Sequence, residues 1–219
     1  MVQYWLMRFS VKEVFDEMDK ISLNDLFIKL DTLDYKMFQV HHTWKPEHSD
    51  FNGNNHMSLQ KGMKNYHVNN NGWADIGQHI TVFPDGIVVT GRDFNKDAVG
   101  ISGHNKGAFM MEMIGNFDIG NDKLEGEQLK TVMLLTNYFI KRDIEIVFHR
   151  DYSYKSCPGS SIKKDTFLKV AKEMDNISDW ALNSWWKLVD KQITDGSNPN
   201  EFLTREMESV FLDRLGLLD

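Results

Sequence analysis

Short apolar runs alternate with segments of helical periodicity along this chain, and that alternation restricts its possible folds more than any other feature. Pattern and turn signals predict strands at 37–40, 76–83, 87–90, 108–114 and 144–148, and helices at 58–70, 122–141 and 163–174. Alternating strands and helices bury a sheet by packing helices against its faces. We therefore predict an α/β fold with a central mixed β-sheet flanked by helices.

Two helix starts carry capping signals. Ser22 is followed three residues later by Asp25, and Asp122 is followed three residues later by Glu125. Both pairs resemble the start of a helix, in which side-chain oxygens accept from free backbone N–H groups. We expect short helical pieces within residues 1–34, where apolar residues at helical spacing begin with Val11, Val14, Phe15 and Met18.

The composition of the chain changes near Asn176. Residues 178–191 and 204–215 are amphipathic and are joined by a polar turn, which predicts a small helical C-terminal segment at 177–219 after a main domain at 1–176. A helix pair of this length buries too little apolar surface to fold alone. We expect it to pack on the main domain, to bind a polymer or to form a homodimer with a second copy.

Charge and composition argue against several partner classes. The net charge of −7 disfavours nucleic acid, which is bound through clustered basic residues. No run approaches the roughly 20 apolar residues of a membrane helix, so no membrane insertion is expected. The first residues lack a signal-peptide core, which predicts a protein made in the cytoplasm. The single cysteine, Cys157, excludes an intramolecular disulfide.

Three residues are candidate zinc ligands. His149 follows the strand at 144–148, Cys157 lies eight residues later, and His41 stands at the end of an earlier strand. Zinc prefers histidine nitrogen and cysteine sulfur, and three protein ligands leave one position open. His42 is disfavoured because neighbouring strand residues point to opposite faces. The alternatives are ordinary core histidines, a buried hydrophobic cysteine, or a cysteine nucleophile with His149 as its base.

Four segments in this order carry a family resemblance: QVHHTWKP, NNGWADIGQHITVFPDGIVVTGRD, MMEMIGNFD and HRDYSYKSCPG. Together they span roughly residues 36–160 and resemble the N-acetylmuramoyl-L-alanine amidase family, which includes phage endolysins and is similar to peptidoglycan recognition proteins. The resemblance implies a Zn²⁺ ion on His41, His149 and Cys157. It also implies hydrolysis of the amide bond between N-acetylmuramic acid and L-alanine in bacterial peptidoglycan.

The resemblance also implies the catalytic side chains. Glu112 matches a glutamate that some members use, and its apolar strand would raise the carboxyl pKa towards neutrality, as a general base needs. Lys155 matches a lysine that stabilises the oxyanion. Some relatives carry a catalytic tyrosine at the position of Gln78, and an amide cannot transfer a proton in its place. The alternatives are an edge-strand carboxylate and a solvated loop lysine.

Aromatic and polar side chains near these residues are candidates for substrate binding. Trp44, Trp73 and His104 flank the predicted site, and aromatic faces and polar side chains are suited to sugars and stem peptides. Trp73 as a core residue is the alternative interpretation.

The C-terminal segment contains a run from Ile193 through Asp195-Gly196 and Asn198-Pro199 to Thr204-Arg205-Glu206. This run resembles a single surface-layer-homology repeat, which implies binding to a cell-wall polymer. With no signal peptide, the chain resembles a phage endolysin that acts on the cell wall after release by a holin-type partner. A non-catalytic peptidoglycan-binding protein and a cysteine-type hydrolase using Cys157 are the alternative functions.

Overall fold

Six strands form one mixed sheet in the computed structural model, which describes residues 18–218. The strands are β1 Lys20–Ile21, β2 Met37–His42, β3 Ile80–Val82, β4 Val88–Thr90, β5 Ala108–Met113 and β6 Glu145–Phe148. Their order across the sheet is β1-β4-β3-β5-β2-β6. Strands β3, β5, β2 and β6 are parallel, whereas β4 and β1 pair antiparallel at one edge.

Helices flank this sheet, which confirms the predicted fold class. They are α1 Leu23–Leu30, α2 His56–Asn69, α3 Gly126–Ile140, α4 Lys164–Lys172, α5 Leu182–Asp190 and α6 Arg205–Arg214. Short 3₁₀ turns lie at His48–Asp50, His149–Asp151 and Asp179–Ala181.

Buried phenylalanines anchor the two strands that lead to the candidate ligands. The Phe38 ring on β2 stacks on Phe139 of α3 with centroids 4.3 Å apart. On β6, Phe148 meets Phe167 of α4 edge-to-face at 5.1 Å. All four rings are at most 1% exposed. Each such burial stabilises the fold by about 1.5–3 kcal/mol, so the ends of β2 and β6 are held rigidly.

The structure confirms one capping prediction and contradicts the other. Ser22 accepts the backbone N–H of Asp25 at 3.1 Å and caps α1. Asp122 does not cap α3, which begins at Gly126 after Glu125. Its carboxylate instead accepts the backbone N–H groups of two loop residues, His48 at 3.0 Å and Asn116 at 2.8 Å. The Asp122 carboxylate oxygen that the sequence predicted as a helix cap therefore accepts from loop N–H groups instead.

Strand β3 is shorter than the predicted strand at 76–83. The backbone before it bonds to side chains, since Gly77 N–H donates to His67 Nδ1 and the Ile76 carbonyl accepts from the Arg92 guanidinium. The Gly77 N–H therefore cannot also join the sheet ladder. Helix α2 begins two residues before the predicted Ser58.

Helix α5 of the C-terminal segment packs against α3 and α4. Leu182 and Val189 are 2% and 4% exposed and belong to the main core. Helix α6 contributes no buried residue among its described positions. The predicted helical face of Val11, Val14 and Phe15 lies outside the described residues. The longest helix, α3, has 15 residues, and no helix within residues 18–218 is long and apolar enough to cross a membrane.

Candidate metal centre

Two histidines meet where parallel strands β2 and β6 end. The register pairs Val40 with Phe148, so His41 and His149, the next residues, are neighbours. Their ring centroids are 4.7 Å apart. Cys157 reaches the same point from the following loop, which is fixed by a hydrogen bond from Arg150 N–H to the Cys157 carbonyl.

The nitrogen and sulfur atoms of these three residues form a compact donor set. One ligand atom from each of His41, His149 and Cys157 lies within 4.8 Å of the others. The Cys157 Sγ to His41 Nδ1 distance is 3.6 Å. Zinc bonds of about 2.3 Å to sulfur and about 2.05 Å to nitrogen give a tetrahedral edge of about 3.6 Å. The Cys157–His41 distance therefore matches the spacing of two zinc ligands.

Burial sets the protonation of these donors. It lowers the pKa of His149 to about 4 and, together with the His149 charge, holds the pKa of His41 well below its ordinary value. Burial also raises the pKa of the Cys157 thiol to about 12. Both imidazoles therefore keep a free lone pair at neutral pH, and the thiol needs a cation beside it to ionise.

His42 faces away from this cluster. Its Nδ1 accepts the Phe117 backbone N–H at 3.2 Å, and its ring lies against the Phe117 ring. Its backbone N–H points to Cys157 Sγ at 3.4 Å, so His42 supports the sulfur through the main chain only. This placement agrees with the expected alternation along the strand.

Glu112 lies on the same face of the sheet as His41. The two residues are register partners on β5 and β2, and Thr81 of β3 pairs with Glu112 on its other side. Laterally paired residues of parallel strands point to the same face. Burial raises the pKa of the Glu112 carboxyl to about 7, which is the range of a general base at neutral pH.

Two adjoining cavities meet at Glu112. The first, of about 480 Å³, contains the three donor residues together with Trp44, Trp73, Lys155 and Asp118. The second, of about 370 Å³, lies along α2 and is lined by residues that include Lys45, Leu59, Met63 and Tyr66. Thr43, His67 and Glu112 border both. The carboxyl therefore stands at the junction of a groove with two arms.

The remaining predicted site residues lie around the first cavity or beside it. Lys155 lines this cavity, and its charge contributes to lowering the pKa of both His41 and His149. Trp44 lines it with its side chain 58% exposed and its backbone at φ +57°, a conformation that is strained for a bulky residue. Trp73 lines it and packs on the His67 ring at 4.7 Å.

His104 lies outside the residues that line either described cavity. Its ring stacks on Tyr152 with centroids 3.6 Å apart. Its backbone carbonyl accepts from Gln39 Nε2 at 2.7 Å, which ties the His104 loop to β2.

Two residues that the sequence reasoning missed hold the Cys157 loop. Asp118 accepts from Ser156 Oγ at 3.0 Å and from Ser160 N–H at 2.8 Å. The Arg150 guanidinium donates to the Ser156 and Gly159 carbonyls at 3.2 and 2.7 Å. These bonds bracket the thiol on both sides. The only sequence signal was an arginine directly after a candidate ligand.

Comparison with known proteins identifies a matching family. The family described as N-acetylmuramoyl-L-alanine amidase (Amidase_2) matches residues 31–160. The human N-acetylmuramoyl-L-alanine amidase is 28% identical over 141 residues, which are 61% of this chain and 24% of that protein. The endolysin of Klebsiella phage KP32 is 26% identical over 100 residues, which are 42% of this chain and 65% of that protein. The chain thus spans less than two thirds of either relative.

A solved structure shows the same fold. The N-acetylmuramoyl-L-alanine amidase LysC from Clostridium intestinale URNW superposes with a TM-score of 0.51 at 24% identity. The superposition covers 67% of this chain and 88% of that protein.

Proposed function

The protein belongs to the N-acetylmuramoyl-L-alanine amidase family, and we propose that it hydrolyses the amide bond between N-acetylmuramic acid and L-alanine in peptidoglycan. One observation carries the proposal. Two neutral imidazoles and a thiol lie within 4.8 Å of one another on a cavity, beside a carboxyl whose pKa is raised to about 7.

His41, His149 and Cys157 would hold the metal, and their donor set fits zinc. When bound there, zinc would supply an activated water at neutral pH and would polarise the amide carbonyl. The three ligands come from the rigid ends of two strands and one clamped loop. Hydrolysis of an unreactive amide benefits from such preorganisation, because little rearrangement is then needed during the reaction.

Glu112 and Lys155 would carry the proton and charge changes. The Glu112 carboxylate accepts a proton from the attacking water and returns one to the departing amine of L-alanine. The Lys155 ammonium faces the same cavity and would stabilise the negative charge that develops on the carbonyl oxygen. Both roles require the scissile bond to lie at the junction beside Glu112.

The two arms of the groove would hold the two sides of that bond. Trp44 and Trp73 present aromatic faces in the first cavity, which suits the apolar faces of a sugar ring or a peptide. The stacked His104 and Tyr152 rings would extend this surface beyond the cavity. The strained backbone of Trp44 supports a role in binding, since such strain concentrates at functional positions.

The geometry does not favour Cys157 as a nucleophile. A reactive cysteine needs an accessible, low-pKa thiolate, whereas burial raises the pKa of this thiol to about 12. Recognition of peptidoglycan without cleavage differs from the proposal only in the reaction, so product analysis separates the two.

A cell-wall setting follows from the resemblance to phage endolysins. We propose that the chain acts on the wall as an endolysin released by a holin-type partner, with residues 177–219 as a segment that packs on the main domain and contacts the wall. Helix α5 needs no second copy of the chain to bury Leu182 and Val189.

The proposal is tested by digesting purified cell walls with zinc-loaded protein. Mass spectrometry should show new L-alanine amino termini and no new reducing sugar ends. Removal of zinc by a chelator should abolish the products, and added zinc should restore them. Activity that persists in demonstrably metal-free protein would favour a cysteine-type hydrolase. Wall binding without any product would establish a recognition protein.

A further inference from the structure

A buried hydroxyl stands next to the proposed general base. Thr81 on β3 and Glu112 on β5 are register partners, so their side chains share one face of the sheet. Thr81 is fully buried, and the opposite neighbour of Glu112 is the candidate ligand His41. The carboxyl thus lies between a hydroxyl on one strand and an imidazole on another.

Gln78 forms a hydrogen bond with that hydroxyl. Its side-chain Nε2 donates to Thr81 Oγ1 at 3.1 Å, and the Gln78 side chain is itself fully buried. A hydroxyl that accepts this bond has its own proton left to donate. Among residues 18–218, no hydrogen bond from the Thr81 hydroxyl and none to the Glu112 carboxylate is seen in the resting geometry.

The hydroxyl proton and the carboxylate therefore each lack a partner among the described residues, and they are side by side. A buried donor without an acceptor is unfavourable, so a hydrogen bond that joins these two groups would be stabilising. This hydrogen bond is strong only when the Glu112 carboxyl is ionised, because only the ionised carboxylate is a strong acceptor.

On the basis of the proposed amidase activity, we infer that Thr81 and Gln78 are positioning residues for Glu112. The Thr81 hydroxyl donates to one oxygen of the Glu112 carboxylate. The other carboxylate oxygen is then directed at the attacking water. The Gln78 amide fixes the hydroxyl in the donating orientation. Neither residue touches the substrate, and both act through Glu112.

The matched pair Thr81→Val and Thr81→Ser tests this inference. Valine has the shape of threonine without the hydroxyl, whereas serine keeps the hydroxyl. Loss of one hydrogen bond to an ionised group predicts a fall in kcat of about 10- to 100-fold for Thr81→Val, with KM and zinc content unchanged. Thr81→Ser should stay within about threefold of the natural protein.

A double-mutant cycle shows whether the effect passes through Glu112. In a Glu112→Gln background, Thr81→Val should cost no further activity. Gln78→Leu should lower kcat and should add little to the loss caused by Thr81→Val. Melting temperatures report folding, and Thr81→Ala replaces Thr81→Val if the latter is unstable.

Two results would overturn the inference. One is full kcat in folded Thr81→Val protein, and the other is an equal loss from Thr81→Val in the natural and the Glu112→Gln backgrounds. A natural protein that releases no L-alanine termini would instead refute the proposed function, so the two failures are distinguishable.

Discussion

Glu112 and His41 are register partners on adjacent parallel strands, so a carboxyl and an imidazole from residues 71 positions apart share one face of the sheet. Strand pairing alone therefore places a candidate base beside a candidate metal ligand, and neither residue lies on a loop. Strands fix side-chain positions more tightly than loops do.

Substitution of the candidate base should separate catalysis from metal binding. Glu112→Gln keeps the shape of the side chain but cannot accept a proton, so kcat should fall by about 100- to 10,000-fold. Bound zinc, measured by elemental analysis, should stay at the level of the natural protein. The exposed Glu145 at the start of β6 provides a control, and Glu145→Gln should leave both unchanged. Full activity in Glu112→Gln would remove the base assignment.

Substitution of a candidate ligand should remove the metal as well as activity. Loss of a residue that supports a metal ligand typically lowers metal affinity by about 10- to 100-fold. A direct ligand contributes more, so His149→Ala and Cys157→Ser should each lower zinc affinity by more than about 100-fold. Competition with a zinc chelator measures this. His104 lies outside the residues that line the cavities, so the control variant His104→Ala should retain zinc. Stoichiometric, tight zinc in Cys157→Ser would contradict the ligand set.

The clamp on the Cys157 loop should tune zinc affinity. Arg150→Met removes the guanidinium bonds to the Ser156 and Gly159 carbonyls, which should weaken zinc binding by about 10- to 100-fold. Arg142, which pairs with Asp31 elsewhere, is a matched control, and Arg142→Met should not change zinc affinity. Equal affinities in the two variants would show that the loop needs no clamp.

Stability should fall as the pH is lowered from about 6.5 towards 4, partly because of His79. Burial lowers the pKa of His79 to about 4, and its neutral ring donates to the Lys96 carbonyl and accepts from Met110 N–H. Because the unfolded state binds the proton first, stability is full above the unfolded pKa and is lost towards the folded pKa. The contribution is at most about 3 kcal/mol.

Urea unfolding at pH 7.5, 5.5 and 4.5 measures this effect. The free energy of unfolding of His79→Gln should depend less steeply on pH in this interval than that of the natural protein. Identical slopes would show that His79 does not titrate as its burial requires.

The C-terminal helices should differ in their contribution to stability. Leu182→Ala in α5 removes a buried core side chain and should cost about 2–5 kcal/mol. Truncation after residue 203 removes α6, none of whose own residues is buried, and should change the free energy of unfolding by less than about 1 kcal/mol. Urea unfolding compares them, and a larger loss on truncation would contradict this packing.

The sequence predicted those features that follow from local pattern. Strand and helix alternation predicted the fold class, which the six-stranded mixed sheet confirms. His41 and His149 were identified as strand-end residues, and parallel strands bring such ends to one edge. The roles proposed for them remain predictions.

The features that the sequence did not predict depend on loop conformation and on strand order. Asp122 has the spacing of a helix cap, yet the backbone N–H groups of His48 and of Asn116 in its own loop take its carboxylate. The pairing of Thr81 with Glu112 depends on strand order, which local periodicity does not contain. The Arg150 clamp requires a loop conformation that only tertiary packing fixes.

The strands that carry His41 and His149 pair directly, although the two residues are 108 positions apart in the chain. An incomplete or unfolded polypeptide therefore offers isolated weak donors rather than a chelating set. If the three residues bind zinc as proposed, metal uptake would be a late event of biogenesis, possible only once the segment through Cys157 has left the ribosome and the central strands have docked. Zinc retention would then serve as an assay of correct maturation, independent of any wall substrate.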